Sequence, residues 1–396
     1  MKIDECRFCN GKLRLILSLG DLPIPNFFPD KFEKKSEKKY PLELYICSNC
    51  GLGQLGLIVS PKVIFKDYHY LSGASKPLEN HLRKLAKECM KISSGNKILE
   101  IGSNDGTMLS EFKKNGWKSL GIDPSEHAVN ISRKKGIPSV NKFFNNKAAI
   151  SIKEKYGKFD LIIFTHTLAN IVDIKDYMNG VRKLISSDGL VVLEVGDFNE
   201  MIKSTKFDSI YHEHYSYFSL ETLKFILESS GFKIVKHSKN SFHGGSVRIF
   251  ARLDSGNEFD PHKFPKRTIK WEEYDDFADR IRKLREDIKK IFEEIEDEKI
   301  IVGWGAPAKA VTLLNYCDIP KDRISCILDS TLNKQNRFLP GVGIPVYPES
   351  YISDKKVDYF FILAWNYKKD ILKKIKNKNM NTEIIIPFPK LKIFSA

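Results

Sequence analysis

Residues 211–219, "YHEHYSYFS", place two histidines, a glutamate, three tyrosines and a phenylalanine in nine positions. Such a density of proton-handling and hydrogen-bonding side chains exceeds what packing needs and points to acid–base chemistry. If the segment is extended, His212 and His214 face the same way, so H-x-H with His243 could also form part of a metal site. His212 could equally be a hydrogen-bonded structural histidine, and Tyr217 and Phe218 read as core. A second constellation is chemically distinct. Cys6 and Cys9 in "CRFC" and Cys47 and Cys50 in "CSNC" are two C-x2-C knuckles, each aiming two sulfurs at one point. Together they predict a closed tetrahedral thiolate site for structural zinc, since a catalytic metal would keep an open position. Cys89, Cys317 and Cys326 have no such spacing and read as buried free thiols.

Two glycine loops follow apolar runs. In "ILEIGSNDGTML" a strand ends at Ile101, with Glu100 near its end and Gly102, Asn104 and Gly106 in the turn before a helix. The E-x-G-x-x-x-G spacing differs from the G-x-G-x-x-G that seats a pyrophosphate on a helix N-terminus. S-adenosylmethionine has no pyrophosphate, and a looser loop suits it. Asp123, closing the next strand in "SLGID", is placed to accept hydrogen bonds from ribose hydroxyls. The second loop, "GWGAPAK", does fit G-x-G-x-x-A through Gly303, Gly305 and Ala308, with Asp329 after the following strand. Alone it suggests a nicotinamide-dependent oxidoreductase. Lys309 at the helix start could hold a substrate's phosphates just as well.

These residues need elements to position them. A chain of 396 residues predicts two or three domains. With 42% hydrophobic and 29% charged residues it reads as globular. No apolar run is long enough for a membrane span and the N-terminus has no apolar signal region, so a cytoplasmic location with no membrane partner is expected. The 65 basic against 50 acidic residues give +15, largely dispersed lysine; four zinc-bound thiolates would bring this to about +13. Such dispersed charge does not select a partner.

Residues 1–70 read as a zinc-ribbon-like domain, whose charged stretch "KFEKKSEKKY" is a hairpin or loop and whose core is small without its metal. Residues 71–267 alternate strands ("KILEIG", "SLGID", "FDLIIF", "GLVVLEVG") with helices, implying a parallel sheet covered on both faces. Residues 268–299 show helical periodicity with abundant charge, either as an isolated arm or as a helix entering another lobe. From 268 to 396 the alternation resumes as a second, shorter α/β domain. The fold class is thus α/β: a class I methyltransferase Rossmann-like domain between an N-terminal zinc-ribbon-like domain and a C-terminal Rossmann-like one.

The ordered motifs "CRFC" with "CSNC", "LEIGSNDGT", "FDSIYHEHYSYFS", "FHGGSVR", "GWGAPAKAVTLLNYC", "DSTLNKQNRFLPGVGIPV" and "AWN" resemble the three-domain sugar C-methyltransferases that act on nucleotide-linked keto-deoxysugars. The resemblance covers most of the chain. It implies a zinc domain, an S-adenosylmethionine domain and a C-terminal domain that helps hold a nucleotide-diphosphate sugar. It also implies that Tyr211, Glu213 and His214 lie in the active site with His214 as base, and that Tyr70 of "YHYLSG" is an active-site tyrosine. In one place the chain departs from the pattern. The family's "N-x-x-x-H-I" histidine is replaced by Asn170 in "HTLANIVDI", with His166 earlier, and an asparagine cannot shuttle protons at neutral pH.

Carbon has no lone pair, so its methylation requires prior removal of a proton, which a neighbouring ketone permits by forming an enolate. His214 can take that proton, Glu213 can orient it or bind a sugar hydroxyl, and Tyr211 or Tyr215 can donate to the enolate oxygen. Expected substrate-binding residues are Tyr70, Asn170, His243, Arg248, Lys309 and Asn315. The rivals are a zinc-ribbon RNA methyltransferase and the nicotinamide oxidoreductase. No basic stripe interleaved with stacking aromatics supports nucleic acid as partner, and a monomer or small homo-oligomer is expected.

Overall fold

Strand Leu13–Pro23 pairs antiparallel with Lys39–Cys47, so that Leu13 lies opposite Cys47 and the hairpin ends bring the two cysteine knuckles together. The computed structural model describes residues 1–33, 37–64, 71–254, 268–378 and 380–396. In the second strand Leu42, Leu44 and Ile46 alternate inward, the period-2 pattern of a half-buried strand. Gly53–Leu55 is the third strand, and the fourth comes from far along the chain: Ser216–Tyr217, inside the histidine-rich segment, pairs with Gln54 and Gly53. The middle of "KFEKKSEKKY", residues 34–36, lies outside the described residues.

The expectation of little core in the N-terminal region without metal needs correction. Leu17, Leu19, Leu44 and Ile46 belong to one apolar cluster with Phe198, Phe277 and Ile281. The hairpin therefore buries its apolar face against later parts of the chain, a source of stability separate from zinc.

The second sheet has seven strands in the order Phe232–Asn240, Ser246–Leu253, Ile185–Gly196, Phe159–Thr165, Lys97–Ile101, Lys118–Asp123, Ser139–Asn141. Six run in the same direction, while Ser246–Leu253 runs antiparallel to both its neighbours. The four strands read from the sequence are all parallel, and the hairpin edge adds two strands that the sequence reading did not name. The order reverses at Lys97–Ile101, which puts the first glycine loop at the point where doubly wound sheets bind ligands. This is the class I methyltransferase Rossmann-like architecture.

Helix Trp271–Glu294 carries the chain onward, and it is no isolated arm: Phe277, Ala278, Ile281, Ile288 and Phe292 are buried along one face. The third sheet is again seven-stranded, with parallel strands Pro345–Tyr347, Cys326–Leu328, Ile301–Trp304, Tyr359–Ile362 and Glu383–Ile386 between antiparallel edges Arg337–Phe338 and Lys392–Ser395. Its switch point is Ile301–Trp304, where the second glycine loop begins. No helix among the described residues is long and apolar enough to cross a membrane.

Candidate active site

A cavity of about 440 Å³ lies where the two switch points and the histidine-rich segment meet. On the first wall, Gly102 has φ +76°, and a Cβ there would sit 2.3 Å from Thr167 Oγ1, so the close turn requires glycine. The Asn104 N–H donates to Asp123 Oδ2 at 2.9 Å and the Ser125 N–H to Asp123 Oδ1 at 2.8 Å. Burial raises the Asp123 carboxyl above its ordinary range, and these two N–H bonds offset part of the effect. Glu100 is raised further, first by burial and then by Asp105 and Asp123, and its buried Oε2 has no hydrogen-bond partner among the described residues. An orphaned carboxylate oxygen in a cavity wall calls for donors from a ligand. The hydroxyls and ammonium of S-adenosylmethionine supply them, so the residues present fit that cofactor.

The second wall is the histidine-rich segment. It is not extended at its start: the His214 N–H donates to the Tyr211 carbonyl at 2.9 Å, closing a turn. The turn brings the Tyr211 hydroxyl to 2.9 Å from His214 Nε2, with ring centroids 4.1 Å apart. It also separates the two histidines. His212 Nε2 meets the Tyr40 carbonyl at 3.1 Å, and only His214 lines the cavity. Burial, then Lys309, then His166, push the His214 ring down to about 3, while a backbone hydrogen bond to Ser209 opposes them. Glu213 is pushed up to about 7 by burial, opposed by Asn26 and by Lys334. Asn26 Nδ2 donates to both its oxygens, at 2.7 and 2.8 Å.

The third wall belongs to the second glycine loop. Gly305 has φ +92°, and a Cβ would fall 2.3 Å from that of Ala364, which explains the second glycine of "GWG". Asp329 accepts the Ala306 N–H at 2.7 Å, much as Asp123 holds the first loop. Lys309, in the first turn of helix Ala308–Tyr316, reaches the cavity with its Nζ 4.5 Å over the Trp365 ring. Burial lowers its amine, and Asp208 works against that. Lys206 and Lys334 line the same cavity. Lys206 donates to Gly244 O at 2.6 Å, and Lys334 to Ala306 O at 2.8 Å.

The cavity thus gathers Tyr211, Glu213, His214, Asn170, His243 and Lys309 beside the cofactor loop. Asn170 Oδ1 is buried without a partner among the described residues, and His243 is held at φ +51° with its ring 4.7 Å from that of His166. Other expected residues stand elsewhere. Arg248 does not line the cavity; it donates to Glu194 at 2.8 Å and to Glu88 at 2.7 Å, because strand pairing sets it opposite the fully buried Glu194. Asn315 Nδ2 caps the Val311 and Pro340 carbonyls on the far side of its helix. The Tyr215 hydroxyl donates to Val59 O at 3.0 Å, away from the cavity, whereas Tyr211 lines it. Tyr70 lies outside the described residues.

Asn26, Lys206, Lys334 and His166 reach the cavity although the sequence reading gave them no role. His166 carried a signal, because it directly follows strand Phe159–Thr165, at the carboxyl end where ligands bind. Asn26 carried none.

At the N-terminal hairpin the four sulfurs of Cys6, Cys9, Cys47 and Cys50 all lie within 4.8 Å of one another. The Cys9–Cys47 and Cys6–Cys50 pairs stand 3.4 and 3.7 Å apart. Tetrahedral zinc with Zn–S near 2.3 Å requires edges of roughly 3.8 Å, so the set fits a closed zinc site. Among the described residues it is the only group of three or more His, Cys, Asp or Glu able to hold a metal, and the turn at Tyr211–His214 sends His212 and His214 to different partners rather than to one centre. Cys89, Cys317 and Cys326 are buried, and burial pushes their thiols up.

Three family models match successive stretches of the chain. Residues 6–65 match the model of a zinc binding domain, 71–237 that of a methyltransferase domain and 241–389 that of a C-methyltransferase C-terminal domain. C-methyltransferase NovU of Streptomyces niveus is 31% identical over 409 residues, covering 100% of this chain and 97% of that protein. An uncharacterized methyltransferase of Bacillus pumilus (strain SAFR-032) is 24% identical over 187 residues, 43% of this chain and 86% of its own. Among solved structures, a protein from Pyrococcus horikoshii OT3 covers 49% of this chain and 100% of its own at 13% identity, with TM-score 0.38. Magnesium protoporphyrin IX methyltransferase from Synechocystis PCC 6803, with S-adenosylmethionine bound, covers 44% of this chain and 78% of its own at 14% identity and TM-score 0.33.

Proposed function

The chain belongs to the C-methyltransferase family and is an S-adenosylmethionine-dependent enzyme, and from that premise we propose its acceptor: the carbon alpha to the ketone of a nucleotide-diphosphate keto-deoxysugar. The observation that carries this reading is one cavity shared by the cofactor loop, an acid–base turn and three lysines beside a helix N-terminus. Lys206, Lys309 and Lys334 supply the cations, and the free N–H groups of the helix start the dipole, that a diphosphate requires. The RNA and oxidoreductase alternatives leave the acid–base turn without work.

Bound S-adenosylmethionine supplies an electrophilic methyl group on a sulfonium. The chain's own residues prepare the nucleophile. The hydrogen bond to Ser209 leaves the lone pair of His214 on Nε2, where it accepts the Tyr211 hydroxyl. When Tyr211 turns its proton to the sugar's keto oxygen, Nε2 is free to take the alpha proton. The C–H pair then moves into the enolate, whose carbon would be the nucleophile for that methyl group. A ring held down to about 3 is neutral but a weak base. Lys309 is its second depressing influence after burial, so phosphate bound at Lys309 cancels that charge and strengthens the base when substrate arrives. Asn170 offers its unpartnered amide oxygen to a sugar hydroxyl.

The test is incubation with S-adenosylmethionine and a panel of nucleotide-linked keto-deoxysugars, read by mass spectrometry and proton NMR. A new carbon-bound methyl group is expected. Methylation confined to oxygen or nitrogen, or no turnover of any keto sugar, would overturn the proposal.

A further inference from the structure

One guanidinium joins three segments that are far apart in sequence. Arg7 lies inside the first cysteine pair, Cys6-Arg7-Phe8-Cys9, and does not itself line the cavity. Its Nη1 donates to the carbonyls of Ile171 at 3.0 Å and Val172 at 2.7 Å. Its Nη2 donates to the Tyr215 carbonyl at 2.5 Å and to the Ser216 hydroxyl. The Arg7 backbone N–H donates to Gln54 Oε1 at 3.0 Å, and Gln54 is the residue paired with Ser216 in the first sheet. Ile171 directly follows Asn170, and Tyr215 directly follows His214, both of which form walls of the cavity.

We propose that Arg7 is a positioning residue, which holds the Asn170 loop and the Tyr211–His214 turn at a fixed separation across the methyl-acceptor site. Three carbonyls and a hydroxyl converge there with their negative ends together. Without a cation they repel one another and are left unsatisfied in a partly buried space. A planar fork with donors on two nitrogens satisfies both loops at once, which a lysine ammonium, a single point charge, cannot do. A guanidinium is not deprotonated in proteins, so the fork stays cationic.

The knuckle fixes where this fork sits. The Asn10 N–H donates to the Cys6 carbonyl and the Cys6 N–H to the Gly11 carbonyl, both at 2.9 Å, and the flanking sulfurs of Cys6 and Cys9 belong to the zinc set. The zinc-binding region therefore acts on the reaction as well as on folding, through Arg7.

The inference rests on the reading that these loops address the methyl acceptor, so its test includes an arm that needs no substrate. In Arg7→Ala, hydrogen exchange read by mass spectrometry should accelerate about tenfold in residues 168–172 and 211–216 together, with zinc content unchanged. Low, non-denaturing guanidinium ion should restore protection. S-adenosylmethionine affinity should stay within about twofold, while kcat falls by roughly 10–100-fold, the penalty for displaced reacting groups, and is rescued by guanidinium. Arg7→Lys should show the same losses without rescue. Unchanged exchange in a folded, zinc-bound variant overturns the proposal. So does faster exchange along the whole chain with no response to guanidinium, which would make Arg7 a folding residue only. Should Arg7→Ala not fold, Ser216→Ala removes one acceptor and must still loosen 211–216; unaltered protection there overturns the proposal equally. If exchange behaves as expected but the wild type methylates no keto sugar, the acceptor assignment fails and the positioning role stands.

Discussion

Glu213→Gln should stabilise the ligand-free protein at pH 8 and leave it unaltered near pH 4.5. Glu213 is 3% exposed, and burial outweighs the hydrogen bonds from the Asn26 amide and the charge of Lys334, so its carboxyl is pushed from 4.5 to about 7. The unfolded chain releases this proton near 4.5, while the folded protein keeps it until about 7. Between those values the native state binds more protons than the unfolded state, so stability falls as pH rises through the window. The full cost at pH 8 is on the order of 3 kcal/mol. Glutamine carries no such penalty, but Asn26 must turn its amide to match, so a net gain of about 1–2 kcal/mol is expected after one weakened hydrogen bond. Thermal unfolding of wild type and variant across pH 4.5–8 reads the difference, because every other titrating group cancels between the two. Curves that run parallel over this range would refute the reasoning, since they would mean that Glu213 titrates alike in both states. A stability gain accompanied by lost turnover would mark Glu213 as a group kept for chemistry at the expense of the fold.

His214→Asn should retain both ligands and lose about 10²–10⁴ in turnover, as expected for a general base, whereas wild-type rates would move that role to Tyr211 or Glu213. His212→Asn, outside the cavity, should be mild in kcat. Asp123→Ala should weaken S-adenosylmethionine binding, and Lys309→Ala should mainly weaken nucleotide-sugar binding, both read by calorimetry; interchange of the two effects would reverse the assignment of the loops. Metal analysis should give one zinc per chain, held by Cys6, Cys9, Cys47 and Cys50 and removed only by strong chelation, and a chain purified without chelator that carries no zinc would contradict the four-cysteine site.

What the sequence disclosed was local. Strands Lys97–Ile101 and Phe159–Thr165 showed as apolar runs, and the cysteine knuckles and glycine loops as fixed short spacings whose geometry is set within a few residues. Arg248 was expected at the substrate, whereas its place on an antiparallel strand is decided by register against Glu194, which no local spacing reveals. The histidine-rich segment misled for a related reason. Alternation implies a shared face only while the backbone is extended, and the Tyr211–His214 hydrogen bond folds it into a turn before Ser216–Tyr217 joins a strand.

The links that complete the site left no trace in the sequence at all. Asn26 meets Glu213 across 187 residues, and Arg7 meets Val172 across 165 and Tyr215 across 208. Each is a single polar side chain in a loop, with no periodicity to betray its partner. Such contacts exist because the hairpin buries Leu17, Leu44 and Ile46 in the same core as Phe277 and Ile281, which fixes the zinc-binding region against the rest of the chain. Only on that rigid seat can a residue between two zinc ligands set the spacing of groups in the cavity. The apolar face of a small hairpin, in a region whose own core is small, is thereby what lets the N-terminal region reach the chemistry.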